Sequence, residues 1–180
     1  MKISLTGKKH SGKSIIARML EEKYGFARIN FKDALVAELM QNFPKLLAEL
    51  TEIYDMTVDE LFIEKPPAMR FLMQEYGTEV RRGDDKKYWT KKWDKSVKKE
   101  PNANVAADDC RFGNEEGISR VHKAIIIKVV RPSLKEETDL HASEAEMDDI
   151  VFDYTIINDG TIEEFINKAQ KLIEKIKKEG

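Results

Sequence analysis

The chain has 180 residues, 41% of them hydrophobic, and lacks a Pro/Gly/Ser-rich linker, which suits one well-buried core and is short for two typical domains. Its formal charge is −2 with 36% charged residues, so nothing in the balance favours bulk binding to nucleic acid or to an anionic membrane. The single cysteine, Cys110, excludes an internal disulfide and a cysteine-rich metal site. The opening apolar run is too short for a signal peptide, and no stretch approaches the roughly 18 apolar residues of a membrane span. A soluble, cytoplasmic protein is expected.

In chain order, "KISLT" (Lys2 to Thr6) reads as a buried strand that stops at Gly7. The next stretch, "GKKHSGKS" (Gly7 to Ser14), fits G-x-x-x-x-G-K-[ST] at every fixed position. Its glycines let backbone N–H groups wrap a phosphate chain, Lys13 reaches the β and γ phosphates, and Ser14 can hold Mg²⁺. Gly7, Lys8, His10, Ser11, Gly12, Lys13, Ser14 and Ile15 are therefore the expected ATP-binding residues. A helix over Lys13 to Tyr24 follows, with Ile15, Ile16, Met19 and Leu20 at helical spacing and Gly25 as its stop. Its N-terminus adds partial positive charge aimed at the same anion.

"FARI" (Phe26 to Ile29) is a candidate second strand, and from Phe31 to Lys99 the pattern is helical, with breaks near Pro44 and the Pro66–Pro67 pair. "NVAA" (Asn104 to Ala107) reads as a weak strand and a short helix follows Gly113. "KAIIIKVV" (Lys123 to Val130) is the strongest strand, and "YTIIN" (Tyr154 to Asn158) is the last. The final helix opens at Thr161, where Thr161 and Glu164 have capping-box spacing. Apolar strands separated by helices predict an α/β fold, a mostly parallel sheet of about five strands with helices on both faces.

The phosphate loop is shared by GTPases, ATPase motors and small-molecule kinases. The long helical insert, suited to an acceptor pocket, favours a kinase, and no Asn-Lys-x-Asp guanine signature is present. After the weak strand comes "ADDCRFGNEEG" (Ala107 to Gly117), where an acid at a strand's C-terminal end can orient Mg²⁺ or take an acceptor's proton. Asp108 and Asp109 are adjacent, so one of the two is expected to face the site; spacing does not say which. Arg70, Arg82, Arg111 and Arg131 are the natural phosphate clamps, since guanidinium forks match phosphate. Phe31, Tyr76, Tyr88 and Trp89 could stack on a base, with Phe31 and Trp89 favoured. Arg81 and the run Asp84, Asp85, Lys86 and Lys87 read as solvated surface. His141 reads as a loop histidine.

"DCRFGNE" (Asp109 to Glu115), "VVRP" (Val129 to Pro132), "HASE" (His141 to Glu144) and "GTEVRR…YW" (Gly77 to Trp89), behind the phosphate loop, resemble the bacteriophage-type deoxynucleoside monophosphate kinases. That family is similar to adenylate kinase and dephospho-CoA kinase in its three-layer P-loop fold. The resemblance spans nearly the whole chain, through "INDGTIEEF" (Ile157 to Phe165). It implies a single kinase domain over 1–180, with a monophosphate-binding insert at 31–99 and a small lid at 131–149. It also implies Mg²⁺-assisted transfer from ATP to a (deoxy)nucleoside 5′-monophosphate by a monomer or homodimer. By motif, Lys13, Asp109, Arg82, Arg111 and Arg131 become catalytic, and Ser14 with Asp109 organises Mg²⁺. Phe31, Lys32, Arg70, Gln74, Thr78, Arg82, Trp89, Asp109 and Arg111 hold the acceptor, while Asn158 and Gly160 border adenine. Cys110 and Gly113 depart from the aliphatic residue and proline expected there, and Lys135 is the sole certain cation from Ser133 to Asp149. The rival expectations are a related P-loop kinase acting on dephospho-CoA or a small alcohol, and a nucleotide-dependent switch that signals through a partner.

Overall fold

The structure is a computed structural model that describes residues 1–134 and 149–179. Among those residues the elements run β1 (Lys2–Thr6), α1 (Lys13–Tyr24), β2 (Ala27–Arg28), α2 (Asp33–Asn42), α3 (Pro44–Tyr54), α4 (Val58–Glu64) and α5 (Pro67–Gln74). A π-helix (Glu75–Arg82), α6 (Tyr88–Lys99), β3 (Val105–Ala107), α7 (Gly113–Val121), β4 (Ile125–Val130), β5 (Tyr154–Ile157) and α8 (Ile162–Glu179) complete them. The chain forms two compact units, Met1–Asn30 with Ser96–Gly180, and Phe31–Lys95.

The first unit holds a five-stranded sheet in the order β2-β3-β1-β4-β5. Every pairing is parallel. A parallel sheet has no face to give to water, and this one is covered on both sides. Side chains alternate along β1, so Ile3 and Leu5 share one face. There they bury with Ile127, Val129 and Ile156 of the neighbouring strands, Ile16 and Leu20 of α1, and Phe165, Ala169 and Ile173 of α8. Ser4 points the other way and its hydroxyl meets that of Ser119 on α7 at 2.9 Å. Because all strands run the same way, the residues that follow β1, β2, β3, β4 and β5 emerge at one edge of the sheet, where open α/β sheets bind ligands.

The second unit is helical around Leu39, Leu47, Leu61, Met69, Tyr76 and Trp89. Pro44 and Pro67 open α3 and α5, where their missing N–H breaks no helical bond. Thr57 and Glu60 form a reciprocal capping box at the start of α4.

Local boundaries differ from the sequence expectation where a non-glycine residue takes positive φ. Lys123 has φ 56, so β4 begins at Ile125 rather than at Lys123. Asp55 and Lys65, both at φ 52, end α3 and α4 without a glycine to announce it. The expected lid stretch lies largely outside the described residues, and Lys135, His141 and Glu144 with it.

Candidate active site

In the first unit, the loop between β1 and α1 is built on backbone that only glycine accepts without strain. Gly7 has φ 136, and a Cβ there would lie 2.2 Å from the Val129 carbonyl oxygen. Gly12 has φ 111, and its Cβ would meet the Phe165 ring at 2.7 Å and the Asn158 amide nitrogen at 2.9 Å. His10 is also at positive φ, 62. The loop closes on itself through the Ser11 N–H donating to Lys8 O, and α1 opens with the Ile15 and Ile16 N–H groups donating to Gly12 O. No acidic residue stands in the first turn of α1 to oppose an anion at its N-terminus.

Lys13 is buried, and its ammonium donates to the carbonyls of Gly7 at 2.6 Å and Lys8 at 2.7 Å. Lys8, His10 and Ser14 are exposed, and Ile15 is half-buried. The hydroxyls of Thr6 and Ser11 are buried without a hydrogen-bond partner. Two other strand ends reach this loop. Asn158, after β5, donates its amide N–H to Ser11 O at 2.9 Å, while its backbone N–H donates to Val130 O. Arg131, after β4, is exposed, with Nη1 3.5 Å from His10 O and Nε donating to Ser133 Oγ. Gly160 is exposed beside Glu164.

At the end of β3 both acids are buried. The Asp108 carboxylate lies 2.5 Å from Arg28 Nη2, and the Asp108 N–H donates to Asn30 Oδ1. Asp109 has interactions of its own and is 8% exposed. The Cys110 N–H donates to Leu5 O, which ties this acidic segment to β1. Burial, with Glu115 and Asp109 nearby, pushes the Cys110 thiol well above its ordinary range. Arg111 is half-buried. Glu115, also buried, accepts from the backbone N–H groups of Arg111 and Phe112 and so caps α7.

These features fit a bound triphosphate. The loop's two glycines hold a turn that a Cβ would not permit, the Thr6 and Ser11 hydroxyls are buried without a partner among the described residues, and an ammonium stands at the head of a helix. Ser14, exposed at the head of α1, and Asp109, after β3, carry the kind of oxygen donor that Mg²⁺ takes. Among the described residues no three His, Cys, Asp or Glu side chains gather as a metal cage, so the ion would draw its other oxygens from phosphate and water.

In the second unit, Lys32 is half-buried just before α2, Arg70 is exposed on α5, and Gln74 is half-buried at its end. Thr78 and Arg82 are half-buried on the π-helix. Phe31 and Trp89 are both 3% exposed. Phe31 stacks on Trp93 at 4.6 Å, and Trp89 packs edge-on to Tyr88 while its indole N–H donates to Gly77 O. Base stacking by either ring would require this core to open. Arg81 is not the solvated neighbour that its charge run suggested. It hydrogen-bonds the Tyr76 hydroxyl and pairs with Glu38. No spacing signal could have found it, because residues five apart share a face only once the segment is known to be a π-helix.

Comparison with known proteins gives three results. The family model for deoxynucleotide monophosphate kinase matches residues 45–169. A protein of Acanthamoeba polyphaga mimivirus named "Putative deoxynucleotide monophosphate kinase" is 31% identical over 184 aligned positions, covering 92% of this chain and 92% of its own. Among solved structures, TT1252 from Thermus thermophilus superposes with a TM-score of 0.54 at 18% identity, over 96% of this chain and 95% of its own, a likeness of fold.

Proposed function

Since the chain belongs to the deoxynucleotide monophosphate kinase family, we propose that it transfers the γ-phosphoryl group of ATP to a deoxynucleoside 5′-monophosphate, releasing the diphosphate and ADP. The observation that carries this reading is the loop after β1, where two positive-φ glycines, the start of α1 and the Lys13 ammonium come together. Phosphoryl transfer asks little covalent chemistry of a protein. It requires two anions held in line while cations meet the charge that develops.

Each residue takes a part on that basis. The backbone N–H groups of the loop bind the β and γ phosphates, and Lys13 moves from the Gly7 and Lys8 carbonyls onto them. Ser14 and Asp109 would hold Mg²⁺, directly or through water, and the ion would supply positive charge to the phosphates during transfer. Arg131 and Arg111 serve the transferring phosphoryl, and Asn158 with Gly160 borders the donor nucleotide. Arg70, Gln74, Thr78 and Arg82 of the second unit bind the acceptor. A phosphate acceptor is already anionic, so no side chain has to deprotonate it.

The test is ADP production from Mg-ATP with a panel of ribo- and deoxynucleoside monophosphates, with nucleosides and dephospho-CoA as controls. Turnover confined to monophosphates, faster with deoxyribose, supports the reading. Turnover with a nucleoside or dephospho-CoA alone overturns it.

A further inference from the structure

The second unit contains a polar cluster that the transfer chemistry does not use. At its centre is Glu38 on α2, whose carboxylate receives four donors. Oε1 accepts from the Tyr88 hydroxyl at 2.6 Å and lies 3.1 Å from Lys92 Nζ. Oε2 accepts from the Tyr76 hydroxyl at 3.0 Å and lies 3.1 Å from Arg81 Nη2. Arg81 also donates from Nε and Nη2 to the Tyr76 hydroxyl, which Asn42 reaches as well. The Arg81 guanidinium stands 5.0 Å from the ring centres of both Tyr76 and Tyr88. Glu38 is thus one anion between two cations and two phenols, and its side chain is only 12% exposed.

Tyr76 and Arg81 both belong to the π-helix Glu75–Arg82. Eight residues of π-helix is a long run for a form that mostly occurs as single turns, and such turns concentrate at functional sites. The contact depends on that register. In an α-helix, residues five apart are rotated about 140° from one another, so Arg81 would leave the Tyr76 face. With i→i+5 bonding the two lie one turn apart, and Glu38 accepts from both. The same segment carries Thr78 and Arg82, while Trp89 holds its Gly77 carbonyl.

We propose that Glu38 is a positioning residue that fixes the π register of residues 75–82 and so sets where Thr78 and Arg82 present themselves to the acceptor monophosphate. The proposal rests on the kinase reading above for the role of Thr78 and Arg82, and on contacts within one unit for the register. Glu38→Gln keeps the size and removes the charge that gathers Arg81, Lys92 and the two phenols. It should allow the segment to relax toward α-helical spacing, displacing Arg82 while leaving the phosphate loop untouched.

The experiment compares the wild-type chain with Glu38→Gln and with Arg81→Gln, each full length. Steady-state kinetics give KM for the monophosphate and for ATP, and hydrogen exchange is followed by peptide. The expected result is an acceptor KM raised about tenfold with the ATP KM within about twofold, because small misplacements of positioning groups cost on that scale. Faster exchange in 75–82, with exchange in 1–30 unchanged, should accompany it in both variants. If Glu38→Gln does not fold, Arg81→Gln carries the same comparison alone. An unchanged acceptor KM, or equal rises in both KM values, overturns the proposal. If the wild-type chain phosphorylates no monophosphate, the kinase reading fails first. Exchange then decides the register by itself, and unchanged rates in 75–82 overturn it.

Discussion

Of the two adjacent carboxylates at the end of β3, Asp108 is paired with Arg28. Arg28, at the end of β2, takes up Asp108, whose side chain is 3% exposed, and so offsets one negative charge at the sheet edge proposed to bind phosphates. Arg28→Gln removes this ion pair from a buried carboxylate. Since Arg28 itself is 29% exposed and partly screened, the expected loss is about 1–3 kcal/mol of stability by denaturant titration. Adding Asp108→Asn should restore most of it, whereas additive losses would show that the pair is not coupled. Cys110 makes a second residue-level prediction. Its thiol ordinarily ionises near 9.0 and is pushed well above that in the folded chain, first by burial. The native thiol should therefore resist alkylation at pH 9 and react once the chain unfolds. The sign for stability follows. Above pH 9 the unfolded chain releases this proton while the folded chain keeps it, so stability falls as pH rises there, and Cys110→Ser should flatten that slope.

At the scale of elements, the phosphate loop is held in shape from outside itself. Asn158 reaches from the end of β5 to the Ser11 carbonyl, and Phe165 of α8 packs where a side chain at Gly12 would have to go. Asn158→Ala should lower ATP affinity about tenfold in direct binding, at a stability cost of about 1 kcal/mol, because it frees the loop and leaves the core intact. Equal ATP affinity in the variant would show that the loop needs no anchor. The loop and α1 were legible because glycine, lysine and the apolar spacing each carry local physics, and α1 runs from Lys13 to Tyr24 as read. The capping box of Thr161 and Glu164 was equally readable from its spacing. The π-helix was not, since periodicity reading assumes 3.6 residues per turn and a change of register alters no composition. The anchoring of Ser11 by Asn158 was hidden for another reason: it joins residues 147 apart in sequence.

For the whole molecule, apolar strand runs between helices sufficed to foresee a parallel sheet, because only a sheet buried on both faces needs them. Strand order was not readable, as it depends on which neighbours the crossovers choose, here β3 and β4 on either side of β1. That order is what delivers Gly7, Asp109, Arg131 and Asn158 to one edge from four distant places in the chain. No helix among the described residues is long and apolar enough to cross a membrane. The central claim is that this edge serves phosphoryl transfer rather than hydrolysis. It is tested most directly by incubating the chain with Mg-ATP labelled at the γ phosphate, with and without each deoxynucleoside monophosphate, and separating the products. The account predicts label in the matching deoxynucleoside diphosphate and little in inorganic phosphate. Label released as inorganic phosphate at the same rate whether or not a monophosphate is present would contradict it.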